Sequence, residues 1–213
     1  MSTVLLLYSN FILVLYSENH QRIRVKEVID CDFCRFVDAH LGRFPDVFNV
    51  SNSRVDLSPS LREESVENRS KTVGACLETL RDEGVITGWR NEMYPVLTAF
   101  HSEPILLIER AASVYFGVKA YGVHVNGYVV KDNGQKEMWV ARRSMHKPTW
   151  PGKLDHIVAG GQPYGLSPME NVIKECKEEA GIDRSIASQA VAVGAVSYCS
   201  RQGQGLKRDV LFC

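Results

Sequence analysis

The sequence carries no excess of either charge: 25 lysines and arginines stand against 25 aspartates and glutamates in 213 residues. Such a balance argues against an extended nucleic-acid footprint and against a basic patch drawn to a membrane. Long apolar runs are missing as well. The stretch Thr3 to Tyr16 is broken by Ser9 and Asn10 and falls short of the roughly 20 residues a membrane-spanning helix needs. It also lacks the basic start and the small-residue cleavage site of a signal peptide, so it reads as a buried strand or an atypical start. The six cysteines, at 31, 34, 76, 176, 199 and 213, have no framework spacing and point to thiols in a reducing compartment. Cys31 and Cys34 form a lone CxxC, which without a second pair reads as two cysteines on a helix rather than a zinc or redox site. No GxxxxGK[ST] loop occurs, which weighs against ATP-dependent phosphoryl transfer.

What remains is an ordinary soluble composition, 45% apolar and 23% charged, long enough for one or two domains burying about 70% of the unfolded surface. Apolar residues at spacings of three and four predict a helix from Val25 to Leu41. Prolines and asparagines between Arg43 and Pro59 predict a loop. A second helix is expected from about Asn68 to Glu83, with Val73, Cys76, Leu77 and Leu80 inward and Gly84 closing it. Trp89, Arg90 and Glu92 form a cluster that favours packing over ligand binding. A strand is expected from Pro104 to Arg110. A hairpin follows, Tyr121 to Val130 turning at Asp132-Asn133-Gly134 into Glu137 to Arg143, with His124 and Asn126 on one face. Strands are expected again at Val191 to Tyr198 and from Asp209 to Phe212.

The stretch from Gly160 to Ile182 is organised for chemistry. Ser167 and Pro168 start a helix, Glu170 completes a capping box, and Gly181 supplies a left-handed end, so the helix should span Pro168 to Ala180. Met169, Val172, Ile173, Cys176 and Ala180 make its apolar face. Glu175, Glu178 and Glu179 crowd the other. Three carboxylates at that spacing repel one another on a bare helix, so a cation belongs among them: Lys174 and Lys177, or a hard divalent ion such as Mg²⁺. Gly160, Gly161 and Gly165 leave a loop whose backbone can approach an ion and its ligand. Arg142, Arg143, His146 and Lys147 lie upstream, and such a cationic group can clamp an anionic substrate or be a solvated loop.

Glycine loop, capping box, acidic triad and terminal glycine at these offsets resemble the signature of the Nudix hydrolases. Gly160, Glu175, Cys176, Glu178, Glu179, Gly181 and Ile182 match it, while Leu166 replaces the first glutamate and Lys174 the arginine. The segments GWRNEMYPV, ERAASVYFGVKAYGVHVNGYV, WVARRS and TWPGKLDHIVAGG are similar to the branch with an extra upstream domain, related to thiamine diphosphokinase-fused and plant chloroplast members. The resemblance implies an α/β fold, the Nudix α/β/α sandwich. Here it would be incomplete at the C-terminal end, leaving an apolar sheet face for a second copy or a partner chain to complete. A small, mostly helical α/β domain would precede it. The expected divisions are residues 1–24, 25–116 and 117–213.

By the same resemblance, Glu175, Glu178 and Glu179, with Gly160, hold Mg²⁺ or Mn²⁺, and Lys174 orients a carboxylate without arginine's planar fork. Arg142, Arg143 and Lys147 are the candidates for substrate phosphates. The expected substrate is a small-molecule diphosphate, of the damaged thiamine diphosphate or 8-oxo-deoxyguanosine diphosphate type, and not a nucleic-acid polymer or a membrane. The alternative is a catalytically silent binding or regulatory module, or a truncated isoform. A cytoplasmic location is expected, with organellar targeting left open.

Overall fold

The structure, a computed structural model, describes residues 13–16, 23–26, 36, 39–51, 54–147, 150–202 and 205–213. The chain divides into two compact units, Met1–Lys119 with Cys199–Arg208, and Ala120–Tyr198 with Asp209–Cys213. No helix among the described residues is long and apolar enough to cross a membrane.

The first unit opens with β1 (Leu13–Tyr16) paired antiparallel to β2 (Ile23–Lys26). The predicted helix from Val25 is therefore corrected at its start, because Val25 and Lys26 lie in a strand. β-branched residues such as Val25 suit a strand as well as a helix face. The stretch holding Cys31 and Cys34 lies outside the described residues. The expected loop at 43–59 is also corrected: β3 (Phe48–Ser51) and β4 (Arg54–Leu57) form a hairpin in which Phe48 faces Leu57, and both side chains are buried. A short helix, α1 (Pro59–Arg62), follows. Then comes α2 (Val66–Asp82), capped by Ser65, whose side chain accepts from the Asn68 amide. α2 buries Val73, Cys76, Leu77 and Leu80, as its spacing predicted.

β5 (Met93–Val96) and β6 (Leu106–Glu109) pair antiparallel beside α2. Ser70 joins helix to strand, accepting from the Leu107 amide at 2.7 Å and donating to the Val66 carbonyl. Val73, Val96, Leu106, Ile108, Phe116 and Val118 surround a cavity of about 20 Å³, too small for anything larger than a water-sized guest. At the predicted Trp89 cluster, Trp89 and Glu92 are half-buried and Arg90 is exposed. Buried Glu109 accepts from the amides of Arg90, Glu92 and Ala111, and the Arg81 guanidinium lies 4.8 Å from the Trp89 ring. This unit holds more strand than its sequence pattern announced.

A four-stranded sheet runs in the order β12, β7, β14, β13, where β7 is Lys119–Val125, β12 Val158–Gly161, β13 Ala195–Gln202 and β14 Gly205–Phe212. The predicted long hairpin is split. β7 ends before Asn126-Gly127 and pairs with β12, while β8 (Tyr128–Val130) and β9 (Lys136–Met138) form a separate exposed hairpin around the expected glycine turn. β10 (Ala141–Arg142) pairs with β11 (Leu154–Asp155). The strand predicted from Val191 begins only at Ala195 and runs to Gln202, and Val191, Val193, Val196 and Tyr198 are exposed.

Helix α3 (Pro168–Ala180) has the predicted limits, and α4 (Arg184–Ala187) follows it. Val158, Cys176 and Ala187 form the core between sheet and helices, with Val125, Ile157, Val172, Ile173 and Ile182 against it. The buried face of α3 departs from expectation at its ends, for Met169 and Ala180 are exposed and Asn171 is fully buried. The free cysteines among the described residues are Cys76, Cys176, Cys199 and Cys213.

Candidate metal and phosphate site

Local sequence fixes the helix that carries the three glutamates. The Ser167 side chain accepts from the Glu170 amide and the Glu170 carboxylate from the Ser167 amide at 2.8 Å, while Gly181 ends the helix at φ 64°. The bond from the Ser167 hydroxyl, then that from its amide, holds the Glu170 carboxyl below the usual glutamate range. A carboxyl lowered on folding stabilises above its unfolded value, and the contribution is lost as pH falls through the folded one. Ser167→Ala is expected to cost about 1 kcal/mol of stability near neutral pH. Thermal unfolding at pH 7 and pH 3 checks this, and the deficit should narrow in acid.

Helix and strand then meet in three successive contacts. The Gln162 amide bonds to the Tyr121 carbonyl, so alternate residues of β12 turn inward to β7, and the backbone groups of Ala159 and Gly161 point off the sheet edge. The Ala159 amide donates to Glu179 Oε2 at 3.0 Å, and the Gly161 carbonyl accepts from Asn171 Nδ2 at 2.8 Å. Between them Glu175 lies flat on Gly160. A Cβ on Gly160 would stand 2.7 Å from Glu175 Oε1 and nearer still to Cγ and Cδ. The Gly160 carbonyl faces β7, 2.8 Å from where a Cβ on Gly122 would stand. Gly160 thus serves the site through the space it leaves.

The chain's own cations stand on these carboxylates. Lys174 Nζ bridges Glu175 Oε1 and Glu178 Oε2, each at 2.9 Å, and Lys147 Nζ lies 3.5 Å from Glu179 Oε1. Burial works against the Lys174 charge, but the bonds to Glu178 and Glu175 outweigh it and hold its pKa above the ordinary lysine value. Glu175 is the most enclosed of the three, its side chain 13% exposed against 57% for Glu178.

The predicted cationic group is only partly gathered. Lys147 reaches the glutamates. Arg142 Nη1 donates to the Gly152 carbonyl at 3.0 Å, and Arg143 Nη1 to Asp155 Oδ2 at 2.6 Å. Asp155 also accepts from the His156 amide, and the His156 and His124 rings lie 4.0 Å apart. Burial tends to raise the Asp155 pKa, yet the Arg143 and His156 bonds bring it below the usual carboxylate value. Arg143 is thus tied into the β10–β11 pair.

Among the described residues no three His, Cys, Asp or Glu side chains are gathered tightly enough to hold a metal ion. The donor chemistry still fits a hard divalent cation: three carboxylates, with the neighbouring Cys176 thiol buried in the core, and two lysines that leave one negative charge. Sequence reasoning missed Asn171 and Asp155. Asn171 lies at i−4 from Glu175, on the face of the glutamates and away from the apolar one, so its spacing gave no sign that it is buried. Asp155 had no signal either, since its partner is set by strand pairing.

Comparison with known proteins places these contacts in a family context. Residues 33–120 match the domain of unknown function DUF4743, and residues 120–209 match the NUDIX domain. Nudix hydrolase 20, chloroplastic, of Arabidopsis thaliana is 48% identical over 186 residues, covering 84% of this chain and 49% of that protein. Nudix hydrolase 24, chloroplastic, of the same plant is 47% identical, covering 82% of this chain and 47% of that protein. An uncharacterized protein of Saccharomyces cerevisiae is 36% identical, covering 73% and 46%. The chain spans about half the length of these relatives.

Proposed function

Since the chain belongs to the Nudix hydrolase family, we propose that it is a metal-dependent hydrolase that cleaves the diphosphate linkage of a small organic or nucleoside diphosphate. The observation that supports this reading best is the placement of Glu175 and Glu179 against the edge of β12, with Gly160 cleared to receive the first. Glu175, Glu178 and Glu179 would hold Mg²⁺ or Mn²⁺. When bound, such an ion offsets charge on the phosphoryl oxygens and lowers the pKa of the attacking water.

The chain's own groups do the rest. Lys174 keeps Glu175 and Glu178 from repelling each other and orients both. Lys147 and Arg142, exposed and carried on the 141–152 segment, are the groups that turn toward substrate phosphates. Arg143, paired with Asp155, positions that segment instead. Damaged thiamine diphosphate and 8-oxo-deoxyguanosine diphosphate are the proposed substrate types.

A second reading, a binding module without turnover, draws on Lys174 bridging two of the three glutamates. One experiment separates the two. The full-length protein is given a panel of thiamine and nucleoside diphosphates, intact and oxidised, with Mg²⁺, Mn²⁺ or a chelator. Release of phosphate or monophosphate only with metal is the expected result. Binding of a diphosphate with no release under any condition would overturn the hydrolase in favour of the module.

A further inference from the structure

Of the three side chains with which α3 meets the edge of β12, the first is not an acid. Asn171, Glu175 and Glu179 stand at i, i+4 and i+8 on the helix and meet Gly161, Gly160 and Ala159 in that order. Asn171 is 0% exposed. Its orientation is fixed by its partner, because a reversed carboxamide would set oxygen against the Gly161 carbonyl oxygen. The correctly turned group leaves Oδ1 buried with no donor among the described residues. A buried acceptor without a donor opposes folding, and leucine would fill much the same volume in a helix without it. Packing alone therefore does not account for asparagine here.

We propose that Asn171 is a positioning residue, which sets the register of the metal-site helix on strand β12 and so the placement of Glu175 and Glu179. This rests on the metal-site reading given above. Asn171 touches neither ion nor substrate; it acts through the two glutamates that follow it on the same face. Glu175 has a single seat, over the bare Cα of Gly160. Glu179 reaches one outward amide, that of Ala159. A small slide or roll of the helix loses both contacts together, and the Asn171 bond to Gly161 is the polar tie one turn before Glu175 that resists it.

The test compares full-length wild type with Asn171→Leu and Asn171→Ala, using Mn²⁺ alone as the probe. Both variants are expected to melt close to wild type and to bind Mn²⁺ about 10–100-fold more weakly, the usual effect of losing a partner that orients metal ligands. In turnover assays kcat should fall with KM little changed. An independent readout is the ¹⁵N-resolved amide of Ala159, which should shift upfield and exchange faster as its Glu179 bond is lost. Unchanged Mn²⁺ affinity together with an unchanged Ala159 amide would overturn the proposal. If wild type itself binds no Mn²⁺, the hydrolase reading fails separately and the Ala159 amide decides the positioning role. Should the leucine variant not fold, the alanine variant, which introduces no bulk, decides.

Discussion

Glu179→Gln is expected to lower metal-dependent hydrolysis by about 10²–10³-fold, and Glu178→Gln by a comparable factor. Charge stabilisation by a bound ion is worth several kcal/mol, and each 1.36 kcal/mol is a factor of ten in rate. The two positions test different things. At 179 the amide oxygen of glutamine can still accept from the Ala159 N–H that Glu179 Oε2 now takes, so the tie to the sheet edge is retained while the negative charge is lost. At 178 the side chain is largely exposed and bonded to Lys174, so its removal spares the fold. Both variants should melt near wild type. Full hydrolytic rate in both, measured with saturating Mg²⁺, would sink the assignment of the carboxylates as the reaction centre.

Gly160→Ala is the second large effect, and it acts by volume instead of charge. The added Cβ would collide with the Glu175 side chain, a contact no real Cβ makes. Either Glu175 must leave its seat, or β12 must move away from α3 and disturb the core around Val158 and Cys176. Overpacking of this kind costs about 1–3 kcal/mol. Activity should fall by at least about 10²-fold, since small misplacement of a reacting group has that cost. Urea denaturation and the hydrolysis assay measure the two effects. Wild-type values in both would mean that Glu175 does not rest on this glycine in solution.

The helix from Pro168 to Ala180 was legible in the sequence almost to the residue, because every signal that defines it is local. Ser167, Pro168, Glu170 and Gly181 specify its ends through bonds to near neighbours. What was not legible depended on partners remote in sequence. The pairing of β7 with β12 across a separate hairpin could not be read from alternation, which is the same for either partner. Arg143 was read as a candidate phosphate ligand or part of a solvated loop, and its pairing with Asp155 depends on β10 meeting β11, which no local pattern shows. The segment at 48–57 was read as a loop from its turn-forming residues, although Phe48, Val55 and Leu57 suit a hairpin and are buried in one. Val25 lay in a pattern that both periods accommodate.

The contacts between α3 and β12 also bear on the order of folding. Strand and helix follow one another in the chain with a short connection, whereas β14, which lies between β7 and β13 in the sheet, comes much later in the chain. Closing a short loop costs less chain entropy than closing a long one, and local contacts form faster. The ties from Asn171, Glu175 and Glu179 to β12 can therefore assemble as an early cooperative segment, before β14 arrives. The carboxylates then reach their places ahead of β14, and local opening at that strand leaves them seated.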